Sequence, residues 1–369
     1  MSVTDQKEPV NCSVSDGFHD WLSQFGGSLA LTTYQAGRVV LLGFDGQRVV
    51  PSFTEFPIPM GLAAHENLLA LATEREVTLF GNAPALAAQY PSAAAGTYDA
   101  LYLPRITYFT GDLRVHDLGF GQDGIWIVNT LLSCLATLSA RENFELRWKP
   151  PFISALAAED RCHLNGMAMI DGAPRYVTAL GATDSAGGWR ANKVSGGILM
   201  DVQSSQVVLS GLSMPHSPRW FDGRLWFLNS GAGELCVADL SQGSYTPVAT
   251  LPGFLRGLCF AGNHALIGLS QIRQSNLFGG LPVRERFERL LCGVAVVDLR
   301  SGQPVGMFEF TSGLHELFEI QLLPGFRRPM IIPAGSDQAQ DAIASRAVSY
   351  WLRRDAAQKK YVVRPPLSN

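Results

Sequence analysis

The sequence predicts an all-β fold, a six-bladed β-propeller built from four-stranded antiparallel blades, and three observations lead to this prediction. Glycine and proline separate short runs rich in β-branched and aromatic residues, as at 125–130 and 224–230, a pattern typical of many short strands. Tight-turn sequences such as Asp123-Gly124 join successive runs, so hairpins follow one another. The pattern also recurs along the chain. A pair of sandwiched sheets is the alternative, but its strands need Greek-key crossings.

The recurring unit contains four strands. Four such runs follow Met214 and a comparable set follows Leu255, and four strands form one propeller blade. The units start about 40–60 residues apart, close to the spacing of known blade repeats. Aligning their first strands gives six starts, at Met60, His116, His163, His216, Phe254 and His315. We expect the first strands to lie near Gly61, Gly119, Gly166, Arg219, Gly257 and Phe318.

The two ends of the chain together supply the last blade. The final unit contains only FEIQLL and PMIIPA before a helix-like stretch, DAIASRAVSYWLRR, while the N-terminal region has strand-like runs without a first strand of their own. We therefore expect the N-terminal strands to close the ring, which would pair exposed sheet edges. The predicted organisation is a disordered or extended tail over 1–16, one propeller domain over 17–340, and a C-terminal helix and tail over 341–369.

Composition narrows the set of partners. The chain has 29 basic and 32 acidic residues and a net charge of −3, and it contains no Lys/Arg run that would indicate nucleic-acid or anionic-membrane binding. The first residues lack a basic start followed by an apolar run, so we expect a soluble cytoplasmic protein. The six cysteines lie apart without a CxxC pair, which predicts neither disulfides nor a zinc knuckle.

Four of the seven histidines share one register. His116, His163, His216 and His315 each lie three residues before the aligned position of a first strand, and in a propeller the first strands line the central channel. Imidazoles that converge on an axis are common ligands of transition metals. The register predicts that these histidines hold a divalent metal, Fe, Zn or Cu. The alternatives are histidines that stabilise turns and histidines that bond or transfer protons in an anion-binding tunnel.

Charged residues near these histidines are further candidates. Glu316 and Glu319 follow His315 closely and are predicted to act as a metal ligand or general base, so that they would be the catalytic groups. Arg219 and Arg256 lie at the same end of their strands. They are predicted to bind an anionic group of the substrate, and the alternative is that they pair with acids of neighbouring blades.

A polar, glycine-rich loop over 178–197 presents Trp189 and Arg190. Loops of this length are uncommon without a role, so both side chains are predicted to bind substrate at the rim of the channel, unless the loop is only an extended hairpin. The alignment places His65 and His264 in the first hairpin turns, away from the predicted site.

Several long phrases, among them GDLRVHDLGF, YVTALGATDSAGGWRANKVSGGILMDV and GLSMPHSPRW, resemble an uncharacterised bacterial family of conserved hypothetical proteins. That family is a domain of unknown function that sometimes accompanies tetratricopeptide-repeat proteins. The resemblance covers about residues 17–335 and implies no established activity. His116, His163 and His216 fall inside its characteristic phrases. HELFEI departs from the family's acidic form, near EEIFDV, which implies Glu316 or Glu319 rather than His315 as the fourth ligand.

These observations lead to two functional hypotheses. The first is a metal-dependent enzyme with a three-histidine centre at the mouth of the channel, acting on a small molecule or a peptide side chain. The alternative is a non-catalytic propeller whose rim binds a protein partner, because the fold alone does not decide between these roles.

Overall fold

The computed structural model describes residues 8–272, 279–354 and 361–363, and these residues form the predicted six-bladed propeller of four-stranded antiparallel blades. Blade 1 contains β5 (Leu62–His65), β6 (Leu68–Ala72), β7 (Glu76–Asn82) and β8 (Ala100–Phe109). Blade 2 contains β9 (Val115–Gly121), β10 (Gly124–Asn129), β11 (Cys134–Thr137) and β12 (Glu145–Trp148). Blade 3 contains β13 (Leu164–Ile170), β14 (Ala173–Ala179), β15 (Gly197–Asp201) and β16 (Gln206–Leu212).

The remaining blades follow the same order. Blade 4 contains β17 (Pro215–Phe221), β18 (Arg224–Asn229), β19 (Glu234–Asp239) and β20 (Ser244–Thr250). Blade 5 contains β21 (Phe254–Ala261), β22 (His264–Ser270), β23 (Gly293–Asp298) and β24 (Pro304–Ser312). Blade 6 contains β25 (Glu319–Pro324), β2 (Gly27–Thr33), β3 (Arg38–Phe44) and β4 (Val49–Glu55).

Short helices lie between these strands. The α-helices are α1 (Asp16–Phe25), α2 (Pro84–Ala87), α3 (Pro282–Arg286) and α4 (Asp337–Asp341), and the 3-10 helices are Gly188–Asn192 and Ser230–Ala232. Across the described ranges, no helix is both long enough and apolar enough to cross a membrane.

The predicted closure of the ring is confirmed. β25, near the C-terminal end, is the innermost strand of blade 6, and β2 pairs with it through Leu31 and Ile320. β3 and β4 complete this sheet. The six predicted first strands are the innermost strands of their blades.

The hydrophobic core lies between the blades. Successive residues of a strand point to opposite faces, so Leu29 packs toward blade 5 while its neighbour Ala30 packs toward blade 1. Each pair of neighbouring blades encloses a cluster of buried apolar side chains of this kind. Both faces of most strands are therefore apolar, which explains why the strands are continuous apolar runs in the sequence.

A β-bulge recurs in the innermost strands of blades 2, 4 and 5. At each bulge two residues oppose one residue of the next strand, which re-aims side chains and interrupts the ladder of hydrogen bonds. The interruption accommodates Pro218, which has no N–H group, and Gly257, whose φ is +78°. The bulged pairs are His116–Asp117 opposite Val128, Ser217–Pro218 opposite Phe227, and Arg256–Gly257 opposite Gly268.

Arg219 spans the channel and ties the innermost strands together. Its Nη1 donates to Asp117 Oδ2 of blade 2 at 2.8 Å, and its Nη2 donates to Glu319 Oε2 of blade 6 at 2.9 Å. It also donates to the carbonyl oxygens of Met167 in blade 3 and Leu258 in blade 5, at 3.1 and 3.2 Å. We call Arg219, Asp117 and Glu319 the channel cluster. Five blades meet at this one guanidinium.

Two edge strands extend the blades. β1 (Asn11–Val14) adds to β24 as a fifth strand of blade 5, and β26 (Pro329–Ile331) pairs in parallel with β8 of blade 1. The predicted N-terminal tail therefore contains an extended strand, while residues 1–7 lie outside the described residues.

The short C-terminal helix is present as α4, where Ser336 Oγ accepts a hydrogen bond from the Ala339 N–H at 3.2 Å. The prediction that the helix continues over the following stretch is wrong. That stretch forms β27 (Ala342–Ala344) and β28 (Ser349–Arg354), with β29 (Tyr361–Val363) beside β28. A turn at Ser345, β-branched and aromatic residues, and the burial of Trp351 against α2 favour strands over a helix.

Candidate functional site

A pocket of about 340 Å³ opens at the end of the channel where the innermost strands begin. This volume falls within the range of small-molecule sites, about 300–1,000 Å³. Its apolar lining consists of Ile58, Met60, Leu180, Trp189, Met214, Phe254 and Phe318. Its polar and charged lining consists of Tyr34, Glu74, Asp112, Arg114, His116, Asp160, His163, Arg190, His216 and Arg256.

The three histidines of the pocket are held in the same way. His116 Nδ1 lies 2.8 Å from the carbonyl oxygen of Arg114, and His216 Nδ1 lies 2.9 Å from that of Met214. His163 Nδ1 lies 3.0 Å from both carboxylate oxygens of Asp160. These partners only accept hydrogen bonds, so Nδ1 carries the hydrogen in each ring. Nε2 is then the acceptor or ligand atom on the other side of the ring.

The surroundings of these imidazoles favour their neutral form. Burial lowers the pKa of His116 and His216 well below the usual range, and the neighbouring positive charge of Arg256 lowers both further. Burial also lowers the pKa of His163, although its hydrogen bond to Asp160 acts in the opposite direction. Neutral rings keep the single N–H at Nδ1 and a lone pair at Nε2.

Arg256 brings a positive charge into the pocket. Its Nη2 lies 3.2 Å from His216 Nε2, and its guanidinium stacks over the Phe318 ring with its carbon 4.2 Å from the ring centroid. His216 therefore accepts from Arg256 and donates to Met214, so it fixes the direction of the guanidinium. Within the described part of the chain, Arg256 forms no ion pair with a carboxylate; Glu316 and Glu319 act on it only at longer range.

Asp160 organises the opposite side of the pocket. Its buried carboxylate bonds to His163, and the exposed guanidinium groups of Arg114 and Arg190 lie 3.9 and 3.6 Å from it. A buried carboxylate that fixes a histidine tautomer also stabilises the protonated imidazole if a proton arrives. This pair can therefore serve as a general base.

Backbone strain is concentrated at the same place. In the described part of the chain, eleven residues other than glycine have a positive φ, and five of them line the pocket. These five are Ile58, Arg114, Asp160, His163 and Met214. A left-handed conformation costs a non-glycine residue about 1–3 kcal/mol, so it persists only where the surrounding structure holds it, and such residues tend to cluster at functional sites. Asp160 and His163 form the hydrogen-bonded carboxylate–imidazole pair, and Arg114 and Met214 supply the carbonyl oxygens that orient His116 and His216.

The structure brings six of the ten predicted site residues together in this pocket: His116, His163, His216, Arg256, Trp189 and Arg190. Trp189 is buried and contacts His163 with the ring planes tilted by 44° and the centroids 4.6 Å apart. Arg190 lies over the Trp189 ring at 4.4 Å. His65 and His264 are the strand residues that flank the first hairpin turns of blades 1 and 5, away from the pocket.

The other four predicted residues lie outside the pocket. His315 is four residues before β25, its side chain is 42% exposed, and its Nδ1 bonds to Gln271 Oε1 at 3.1 Å. Phe318, three residues after His315, lines the pocket in its place. Glu316 Oε1 accepts the Gln35 N–H at 2.8 Å. Arg219 and Glu319 belong to the channel cluster. Arg219 therefore pairs with acids of other blades, which was the alternative to binding an anionic group of the substrate.

Sequence reasoning missed Asp160 and Arg114. Asp160 precedes His163 by three residues, and a carboxylate at that spacing before a candidate histidine was the available signal. Arg114 contributes a backbone carbonyl as well as a side chain. Every residue has a backbone carbonyl, so the sequence cannot indicate which one orients a histidine.

Among the residues that the structure describes, no three His, Cys, Asp or Glu side chains are grouped to hold a metal ion, and the three-histidine metal centre stays a prediction. The rings of His116 and His163 meet edge to face at a centroid distance of 4.8 Å. His216 Nε2 faces Arg256 instead of a shared centre.

Fold and pocket together define a six-bladed propeller with a site of small-molecule size. The chain belongs to the family described as a domain of unknown function (DUF4915), whose sequence model matches residues 16–332. No functionally curated protein matches the sequence.

The chain is similar to solved structures at low sequence identity. A chain of a nidogen/laminin complex is 10% identical with a TM-score of 0.51, covering 81% of this chain and 98% of that one. A protein of unknown function from Bacteroides caccae is 9% identical with a TM-score of 0.48, covering 80% and 98%. At these identities the likeness concerns the fold alone.

Proposed function

We propose that the pocket binds a small organic anion whose carboxylate pairs with Arg256. The observation that carries this proposal is the state of Arg256, a guanidinium inside the pocket that His216 orients and that pairs with no carboxylate of the described chain. Burial lowers the pKa of Arg256, which reflects the cost of holding an unpaired charge there. A bound carboxylate supplies the missing partner, and two parallel N–H···O bonds suit the guanidinium.

The apolar lining supports an organic ligand over an inorganic ion. Trp189, Phe254 and Phe318 are each less than 10% exposed and line the same pocket as Arg256. Aromatic walls around a few fixed polar groups are typical of sites for small organic molecules. The carboxylate would lie at Arg256 and the carbon skeleton against these rings.

The proposal is tested by thermal unfolding of the full chain with small organic acids and their primary amides. We expect the acids to raise the melting temperature of the wild type, because a ligand at about 100 times its Kd adds about 2.7 kcal/mol to stability. The amides, which lack the charge, should not. Arg256→Met should lose the response to acids, and the control Arg105→Met, on the outer strand β8, should keep it. Equal responses to acids and amides, or in wild type and Arg256→Met, would contradict the proposal.

A second candidate uses the same three histidines as ligands of a divalent metal such as Fe, Zn or Cu. It is favoured by their common tautomer, because metal-binding histidines usually donate the second ring nitrogen to a carbonyl or carboxylate. It requires Arg256 to leave His216 Nε2. Elemental analysis of protein purified without a His tag tests it: stoichiometric metal that is lost in His116→Ala supports the metal centre, and wild type without metal that also fails to take up Co²⁺ or Zn²⁺ contradicts it.

A further inference from the structure

We infer that the ligand is a hydroxy acid, in which the carboxylate pairs with Arg256 and a hydroxyl group presents its one hydrogen to the two neighbouring acceptors, Nε2 of His116 and Nε2 of His163. This inference rests on the proposed function and adds the chemical group that the second half of the site recognises. It follows from the hydrogen-bonding state of the two rings.

The acceptor character of both rings is fixed by their partners. The Arg114 carbonyl and the Asp160 carboxylate can only accept, so His116 and His163 must donate to them through Nδ1. A neutral imidazole has one N–H, which leaves Nε2 as a lone-pair acceptor. Among the described residues, neither Nε2 atom has a hydrogen-bond donor.

The two acceptors lie close enough to meet one ligand. Both histidines line the pocket together with Arg256, and their ring centroids are 4.8 Å apart. An acceptor that a ligand covers without donating to it loses its bond to water, at a cost of about 1–3 kcal/mol. A second carboxylate, a keto group or an ether at this place would put acceptor against acceptor. The site therefore selects a ligand that has a donor there.

A hydroxyl group fits this donor role better than an ammonium group. Arg256, Arg114 and Arg190 line the same pocket, and the Asp160 carboxylate is already engaged by His163 and lies near both rim arginines. The remaining acids of the lining are Asp112, which is exposed, and Glu74, which lies 3.4 Å from Arg75. A neutral donor avoids the repulsion that a cation meets from three guanidinium groups.

The test is isothermal titration calorimetry of the full chain with matched series of acids. One series is mandelate, O-methylmandelate, phenylacetate and phenylglycine, and the other is lactate, 2-methoxypropionate, propionate and alanine. Within the series that binds, we expect the hydroxy acid to bind at least about tenfold more tightly than the methoxy and deoxy acids, because only the hydroxyl group donates. The methoxy compound keeps the oxygen and removes the hydrogen, so it separates donation from polarity.

The variant His116→Phe tests whether the preference for the hydroxy acid arises in this pocket. His116→Phe keeps a ring against Phe318 and removes the acceptor, so it should still bind the acids through Arg256 but lose most of the preference for the hydroxy acid. His65→Phe, beside the hairpin turn between β5 and β6, should keep it. The affinities of the wild type for the matched acids test the inference by themselves, even if His116→Phe does not fold.

The outcomes separate the inference from the proposed function. Acids that bind through Arg256 with equal affinity for hydroxy, methoxy and deoxy compounds overturn the inference and leave the proposed function in place. Tightest binding of the amino acid also overturns it. If none of the acids binds, the proposed function fails as well.

Discussion

Arg219 and Arg256 are two arginines on innermost strands of adjacent blades, and their surroundings are opposite. Arg219 has a carboxylate from each of two blades and carbonyls from others. Arg256 has a neutral imidazole, an aromatic ring and the open pocket. Burial lowers the pKa of Arg219, but Asp117 and Glu319 outweigh burial and raise it; for Arg256, burial prevails and the pKa is lowered.

The difference separates an arginine that links the blades from one that has no carboxylate partner within the described chain. An ion cluster whose members are all paired holds the blades together, whereas a cation without a protein counter-charge is available to a ligand. The two arginines share a residue type but differ in register: Arg256 is the first residue of its bulge, whereas Arg219 directly follows the bulge of its strand, and the two side chains therefore meet different partners. The predictions below test that separation, beginning with the largest effect.

Arg219→Met should destabilise the protein strongly. It leaves Asp117 and Glu319 buried without their cation, and breaking a buried ion pair typically costs about 3–5 kcal/mol. The free energy of unfolding is measured by denaturant titration. Arg256→Met, which breaks no ion pair within the described chain, should change it by less than about 1 kcal/mol. Similar losses in the two variants would remove the distinction between the arginines.

The channel cluster should make stability fall as pH rises. Burial and the neighbouring Asp117 raise the pKa of Glu319 to about 7, while Arg219 acts in the opposite direction. The folded protein therefore keeps a proton that the unfolded chain releases near pH 4.5. This contribution is fully present below about pH 4.5 and is lost as pH rises to about 7, at up to about 1.4 kcal/mol per pH unit.

Glu319→Gln isolates this contribution. The difference in unfolding free energy between wild type and Glu319→Gln should shift against the wild type from pH 4.5 to 7. A difference that does not vary with pH would show that Glu319 is ionised throughout.

The pocket should have the opposite pH dependence. His116, His163 and His216 have lowered pKa values because they are buried, so the unfolded chain takes up protons below about pH 6.5 that the folded protein does not. Stability from these residues is present above that pH and falls as the solution becomes more acidic. His216→Gln should therefore reduce the slope of stability against pH on the acid side, by up to about 1.4 kcal/mol per pH unit, which is the contribution of one proton.

The smallest expected effect concerns the bulge in blade 4. Pro218→Ala adds an N–H where the ladder is already interrupted, so it should lower the free energy of unfolding by about 1 kcal/mol or less. A loss of several kcal/mol in denaturant titrations would mean that Pro218 itself holds the strand in place.

Much of the fold could be predicted from the sequence because the blade pattern is local and repeated. Runs such as 224–230, followed by a turn and another apolar run, specify hairpins directly, and the missing first strand at the N-terminus indicated the closure. The C-terminal stretch 342–354 was misinterpreted because its strands depend on Trp351 packing against α2, a contact between distant segments.

The site was predictable only in part. The register of His116, His163 and His216 follows from the repeat, and the structure places all three in one pocket. His315 does not join them, because the innermost strand of blade 6 begins only at Glu319, four residues later. The contact of His216 with Arg256 joins blades 4 and 5. The sequence does not show which ring nitrogen carries the hydrogen, and that decides which nitrogen is left to bind a metal ion or to accept a hydrogen bond.

The central claim is that Arg256 is the anion-binding group of the pocket. The most direct measurement is isothermal titration calorimetry of the most stabilising organic acid with wild type and Arg256→Met, after denaturant titration has shown equal stability. Loss of one partner of a buried charge pair costs about 2–5 kcal/mol, so the variant should bind at least about 30-fold more weakly. Binding by Arg256→Met within about threefold of wild type would contradict the claim.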